Sequence, residues 1–328
     1  MSSRNVRPVT INHKFEIINL KIIYDNIIYS LQRYGGISVV WSELLSRARK
    51  DKDLQLTELD YRQSMQPRWL ERYRVPDYKA QTPAVFHSSY FRILPQKGVH
   101  NVTTVHDLTY HFYRSGMAKA VHLWEEERAL RHSDAVICIS ENTKRDVLRF
   151  YPWVSEDKIH VVYNGVGEEF YPMKSVEKKG YLLFIGNSQV AYKRYDVAQE
   201  VSRLTGLELR TAAGVTREQL NTMYNEALCL LYPSDYEGFG LPILEAQRAG
   251  CPVIAQRASS VPEVIGADGL MVAHDTPKRM AEQMATIVRE LQSQSTQTIV
   301  EQGLENAKRF SWDKSYEQVK NVYTQLIP

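Results

Sequence analysis

Ala227 to Gly250 is the stretch that leaves this chain least freedom. Ala227-Leu-Cys-Leu-Leu-Tyr-Pro233 is short and apolar, the pattern of a buried parallel strand that stops at a proline. A loop with Glu237, Gly238 and Gly240 follows, then Pro242 where the first turn of a helix begins, since a helix's first N–H has no partner to lose. Gly250 closes that helix. Strand, glycine loop and helix start form a geometry that holds an anion: the amides of Phe239, Gly240 and Leu241 are expected to lack partners, and the glycines let a ligand approach the backbone. Glu237 and Glu245 only accept hydrogen bonds at neutral pH, so they repel a phosphate unless turned toward hydroxyl groups. A ligand with phosphate in the middle and polyols on both sides, a nucleotide sugar, satisfies all of these features. The plain alternative is a helix start with two solvated carboxylates.

Two glutamates separated by seven residues, in the run Glu-Gly-Phe-Gly-Leu-Pro-Ile-Leu-Glu-Ala from Glu237 to Ala246, resemble the signature of retaining glycosyltransferase family 4, the "group 1" family. That resemblance implies the α/β GT-B fold: two Rossmann-like, doubly wound parallel-sheet domains with a cleft between them.

Length and composition are compatible with that expectation. At 328 residues the chain exceeds what one hydrophobic core supports, so two domains are expected. A net charge of +3 is too small to mark a nucleic-acid binder. Cys138, Cys229 and Cys251 stand singly in apolar runs and read as buried thiols of a reducing compartment. The histidines lack ligand spacing, so neither a metal nor another cofactor is expected. No apolar run reaches membrane-spanning length and the N-terminus lacks a secretion signal's apolar core, so a cytoplasmic place is expected, with peripheral membrane contact open.

In chain order, a first strand is expected near Leu20–Tyr24, and Gly35-Gly36 then precedes an amphipathic helix from Val39 to Ala48. A glycine pair there suits a tight turn or close approach to a ligand. The resemblance places Gly35 and Gly36 opposite the donor diphosphate. Gln66-Pro-Arg-Trp-Leu-Glu-Arg-Tyr-Arg74 mixes arginines with Trp69, Leu70 and Tyr73. It reads as a surface helix with inward aromatics, the commoner case, or as a contact for an anionic membrane, where many family members meet lipid-linked acceptors. Strands near Ala84–Ser89 and Asn101–Asp107 end in polar residues, so His87, Ser88, His106 and Asp107 are expected to line a cleft beyond the strand ends. Thr-Val-His-Asp resembles the family's strand-end motif, whose histidine contacts the donor sugar, so His106 is carried over as catalytic. Asp107 is carried over on the acceptor side. A charged helix, Lys119 to His132, a buried strand, Ser133–Ile139, and a helix capped by Ser140 follow. The Ser140-Glu-Asn-Thr run, also typical of the family, reads as structural.

Tyr181–Gly186 opens the second half. Lys193 is placed to neutralise a diphosphate as a point charge, a solvated lysine being the alternative. Family members carry an arginine or serine-type residue just after the glycine, where this chain has Asn187, and Arg194 is the candidate replacement. Between Leu207–Gly214 and the helix Arg217 to Ala227 there is room for only one strand and one turn, where family members carry a further strand and helix that contribute to the nucleotide-base pocket, so the resemblance does not carry over the base. Ser259-Ser-Val-Pro-Glu263 resembles the next ligand-side loop. A final amphipathic helix ending at Leu326 crosses back to the first domain in the family, which divides the chain into 1–170 with 311–328, and 171–310.

The resemblance implies transfer of a hexose from a nucleoside diphosphate to an acceptor hydroxyl with retained configuration. Glu245 would hold ribose hydroxyls, Glu237 the sugar's hydroxyls and His106 the opposite wall, while Lys193 and the loop amides take up the diphosphate charge without a metal. GDP-mannose is the first expectation for the donor. A saccharide or lipid-linked saccharide of polysaccharide or O-antigen synthesis is the expected acceptor. Two alternatives stay open: a catalytically degenerate nucleotide-sugar binder, and another GT-B enzyme such as an epimerase. A nicotinamide-dependent dehydrogenase is disfavoured, because no G-x-G-x-x-G follows the first strand.

Overall fold

Strand β1 (Leu20–Asp25) is buried at every position but one, which a sheet accommodates only when helices cover both its faces. The computed structural model describes residues 20–32, 35–61, 69–212 and 214–327, and shows two such sheets. The first contains β1, β2 (Leu54–Leu59), β3 (Ala84–Ser88), β4 (Val99–Val105), β5 (Ala135–Cys138) and β6 (Ile159–Val161), in the order β2-β1-β3-β4-β5-β6. The second contains β7 (Leu182–Ile185), β8 (Leu209–Ala212), β9 (Cys229–Tyr232), β10 (Val253–Gln256) and β11 (Leu270–Val272), in the order β11-β10-β9-β7-β8. Every pairing in both is parallel, so every connection is a crossover, mostly through a helix. Ligands of such sheets bind beyond the strand C-termini, and that is where the loops considered below converge.

The last helix, Trp312–Leu326, lies on the first sheet. Its Trp312, Tyr316, Val319, Val322 and Tyr323 share one core with Ile22, Tyr24 and Trp41. Among the described residues no helix is long and apolar enough to cross a membrane. The three cysteines are free and buried.

Two sequence expectations are corrected here. His87 and Ser88 do not line a cleft: both are buried, His87 beneath the last helix and Ser88 against Asp25. His87 Nδ1 meets the Tyr323 hydroxyl and its Nε2 lies 2.8 Å from Thr104 Oγ1, while Ser88 Oγ donates to Asp25 at 2.7 Å. Burial pushes the His87 imidazole down to about 3, so it is a neutral core group.

The described part of the arginine-rich segment, residues 69–74, is not a surface helix either. Of Gln66–Arg74, residues 66–68 lie outside the described residues, and Glu71–Tyr73 form a short 3-10 turn. Trp69 is 80% exposed, so its ring does not pack inward. The turn is fastened from beneath by Arg92, fully buried, whose Nη2 lies 2.9 Å from Glu71 and whose Nη1 lies 3.3 Å from Asp25. On its other side Arg72 pairs with Glu125 at 2.5 Å.

Candidate active site

Loop 233–240 leaves β9 and turns into helix Leu241–Arg248, with Gly240 at φ 109°, a backbone that side-chain-bearing residues rarely adopt. Among the described residues the N–H groups of Phe239, Gly240 and Leu241 have no protein acceptor. Ser259 and Ser260 support the loop from below. The Glu237 N–H donates to Ser259 Oγ at 2.8 Å, and Ser260 Oγ lies 2.9 and 2.8 Å from the carbonyls of Glu237 and Phe239. Two non-glycine neighbours, Arg194 and Ser259, hold left-handed backbones (φ 54° and 47°), each costing about 1–2 kcal/mol that the surrounding contacts must offset.

The first domain grips the same loop. Ser140 Oγ donates to the Gly238 carbonyl at 2.7 Å and Thr143 Oγ1 donates to it at 3.2 Å. The Tyr236 hydroxyl donates to Asp146 at 2.8 Å and accepts from the Leu108 N–H at 3.2 Å. Glu263 caps helix Glu141–Phe150 across the interface, accepting from the N–H groups of Glu141 and Asn142 at 2.9 and 3.0 Å. Sequence reasoning read the Ser140 run as a helix cap only and assigned no role to Tyr236. The serine and threonine of Ser140-Glu-Asn-Thr143 were the available signal, being spaced to face one acceptor together.

Lys193 and Glu237, predicted separately, are a pair. Lys193 Nζ lies 2.6 and 2.8 Å from the two Glu237 oxygens, and both side chains are largely buried. Arg194, the candidate replacement for the cation missing at Asn187, is engaged locally. It pairs with Asp196 at 2.9 Å and Asp235 at 3.5 Å. Asn187 is exposed and caps its own turn, accepting from the Gln189 N–H.

Glu245 sits one helical turn further in, partly buried, and its Oε2 accepts from the Tyr224 hydroxyl at 3.0 Å. Burial pushes its carboxyl up to about 7, against the downward pull of Tyr224 and Arg217. If Glu245 holds ribose hydroxyls, it does so best when ionised. Nucleoside diphosphate affinity should therefore rise by up to about tenfold between about pH 6 and about pH 8. Glu245→Gln should remove that pH dependence in calorimetric titrations, and a wild-type profile retained by the variant would take Glu245 out of the role.

On the facing side, His106 and Asp107 follow β4. Burial pushes the His106 imidazole down to about 4 despite Asp107, so it acts as a neutral hydrogen-bonding group near pH 7. Asp107 Oδ1 accepts from the Thr109 N–H at 2.9 Å, and its second oxygen has no protein partner among the described residues. Both residues line a cavity of about 260 Å³ within the first domain, together with Arg72, Tyr90, Tyr110 and His122. Gly35 and Gly36 are exposed at the start of helix Gly36–Ala48. They do not line that cavity, although Gln32 and Ile37 beside them do. The two halves of the site abut: a Cβ on Gly238 would overlap the His106 carbonyl oxygen.

Comparison with known proteins agrees with this architecture. The model described as Glycosyltransferase Family 4 matches residues 61–170, and that described as Glycosyl transferases group 1 matches 168–290. The chain is 28% identical to the O-antigen chain mannosyltransferase B of Escherichia coli, over 80% of this chain and 81% of that one. It is 27% identical to the MMP alpha-(1->4)-mannosyltransferase of Mycolicibacterium hassiacum, over 62% of this chain but only 56% of the relative. Among solved structures, the sucrose-phosphate synthase of Thermosynechococcus elongatus superposes with a TM-score of 0.71 at 18% identity, covering 94% of this chain and 99% of that one. WaaG, a glycosyltransferase of lipopolysaccharide biosynthesis, superposes with a TM-score of 0.66 at 14% identity, covering 93% and 99%. With two adjoining family models and the paired parallel sheets in agreement, the chain belongs to the group 1, family 4 glycosyltransferases of GT-B fold.

Proposed function

We propose that this glycosyltransferase moves mannose from GDP-mannose to a saccharide or lipid-linked saccharide acceptor with retention of configuration, in O-antigen or related polysaccharide synthesis. The carrying observation is the Lys193–Glu237 pair beside three unpartnered amides, directly across from His106 and Asp107. A departing diphosphate would draw Lys193 off Glu237 and meet the amides of Phe239, Gly240 and Leu241. No metal is needed in this reading, since charge develops where a cation and fixed dipoles already point. Glu237 then orients sugar hydroxyls, neutral His106 hydrogen-bonds the sugar from the other wall, and Glu245 takes the ribose. Asn187 leaves one fewer cation on the diphosphate. Residues 171–310 would hold the donor, and 1–170 with 311–328 the acceptor. The mannosyl and O-antigen parts of the proposal rest on the names of the E. coli and Mycolicibacterium relatives.

Exposed Trp69 and Leu70, beside exposed Arg74, support contact of the first domain with an anionic membrane. Sedimentation with phosphatidylglycerol vesicles should fall in Trp69→Ala, and unchanged binding would remove that segment from the contact.

The deciding experiment is a thermal-shift and calorimetric screen of GDP, UDP, TDP and ADP and their sugars, with and without EDTA. Stabilisation by GDP and GDP-mannose that survives EDTA is the expected result. Stabilisation by another diphosphate alone would replace the donor. No response to any, from folded protein, would favour a degenerate site.

A further inference from the structure

A pair of tyrosines spans the two halves of the site and has no part in the reaction as described. Tyr113, from helix Thr109–Tyr113, and Tyr192, from the turn before Lys193, meet with ring centroids 4.8 Å apart and planes inclined by 34°. Tyr113 is 41% exposed and Tyr192 partly buried, and neither hydroxyl has a hydrogen-bond partner among the described residues. Both backbones are braced. His111 Nε2, on the Tyr113 helix, lies 3.0 Å from Glu126 and 3.1 Å from the Tyr151 hydroxyl, and Lys119 donates to the His111 carbonyl at 2.7 Å. The Tyr192 carbonyl accepts from the Asp235 N–H at 2.8 Å.

Their surroundings identify what they could hold. Lys193 Nζ stands 5.5 Å from the centre of the Tyr192 ring, so the pair borders the Lys193–Glu237 centre. The charges of Asp235 and Glu237 bear on the Tyr113 hydroxyl, and those of Glu237 and Asp107, opposed by Arg114, on that of Tyr192. Two rigidly held aromatic faces with free hydroxyls suit a ring that is apolar on its faces and polar at its edge, which describes a sugar. Glu237 and Asp235 are paired with Lys193 and Arg194, which leaves Asp107 as the carboxylate with an unpartnered oxygen, and a second carboxylate brought beside it would be repelled. Stacked on each other, two such rings gain only about 0.5–1.5 kcal/mol, so separating them for a ligand costs little. At 4.8 Å nothing fits between them, because a stacked partner needs about 3.5–4 Å on either side. A sugar must therefore enter as the domains part, and the rings then close on it.

We propose that Tyr113 and Tyr192 are positioning residues that clamp a neutral pyranose ring of the acceptor as the cleft closes. The proposal rests on the glycosyl-transfer reading above and names the acceptor's chemistry at that site.

Saturation-transfer NMR on the full chain tests it, with methyl α-D-mannopyranoside, methyl α-D-glucopyranoside and the anionic methyl glucuronide as probes, each with and without GDP. The two neutral glycosides should bind wild type, and the glucuronide should not. Tyr113→Ala and Tyr192→Ala should weaken the neutral glycosides by about tenfold, the loss of roughly one stacking contact. Tyr→Phe at either position should keep most of the binding, because the ring face remains. GDP affinity should stay within about twofold in the Tyr113 variants, whose ring lies outside the phosphate contacts, whereas Tyr192 borders Lys193. Undiminished binding in the alanine variants, equal binding of the glucuronide, or no neutral glycoside bound by wild type would each overturn the clamp. Neutral glycosides bound through the tyrosines by a protein that ignores every nucleoside diphosphate would instead overturn the donor reading and leave the clamp standing.

Discussion

Glu237→Ala is expected to lower turnover by about 100-fold or more while leaving GDP affinity unchanged or improved. The sign of the second effect follows from the pairing. In the free protein Lys193 is held 2.6 and 2.8 Å from the Glu237 carboxylate, so a diphosphate must compete with that carboxylate for the ammonium. Removing Glu237 ends the competition and exposes an unpaired cation to the phosphate, which favours ground-state binding. On the proposed reading it also removes the acceptor for the sugar's hydroxyls, whose orientation matters most when the glycosidic bond breaks. Lys193→Ala should differ in kind, losing both affinity and turnover. Calorimetry with GDP alongside initial rates would separate the two. A Glu237→Ala variant whose GDP affinity falls as far as its turnover would show that Glu237 merely supports the loop.

Gly238→Ala should be nearly as damaging, for a steric reason. Its Cβ would overlap the His106 carbonyl oxygen, a backbone atom of the other domain, while the Gly238 carbonyl is pinned by Ser140 and Thr143. Neither partner can rotate away, so relief requires the domains to separate. Overpacking of this kind costs about 1–3 kcal/mol in stability. Turnover should fall markedly, because the proposed donor and acceptor walls no longer meet, whereas GDP affinity should be largely kept. Ser140→Ala, which removes one hydrogen bond without adding bulk, should cost only about 0.5–1.5 kcal/mol. A Gly238→Ala protein with wild-type melting temperature and turnover would show that the close approach is not required.

Both predictions draw on Ala227–Gly250, where strand, loop and helix are contiguous in sequence. Local order was legible there because an apolar run, two glycines and a proline specify backbone conformation within a few residues of themselves. The paired parallel sheets were expected from the family resemblance that this stretch carries, and length alone added only the expectation of two domains. Strand β2 was not, since Leu54–Leu59 lies at a sheet edge and is only partly buried, so its pattern is weak. Helix Thr109–Tyr113, which carries half of the tyrosine pair, spans five residues, too few for a periodicity.

Tertiary structure alone decided how the legible pieces met. His87 and His106 both occur near the ends of buried strands, yet Tyr323, 236 residues away, buries the first in the core while the second lines a cavity. Lys193 chose Glu237 and Arg194 chose Asp196 and Asp235, although adjacent cations look alike in sequence. Glu263 found the amides of Glu141 and Asn142 in the other domain. Periodicity and turn residues report what the backbone does next to them. The partner of a charge depends on which loops two separately folded sheets bring to the same place, and that information is spread over the whole chain.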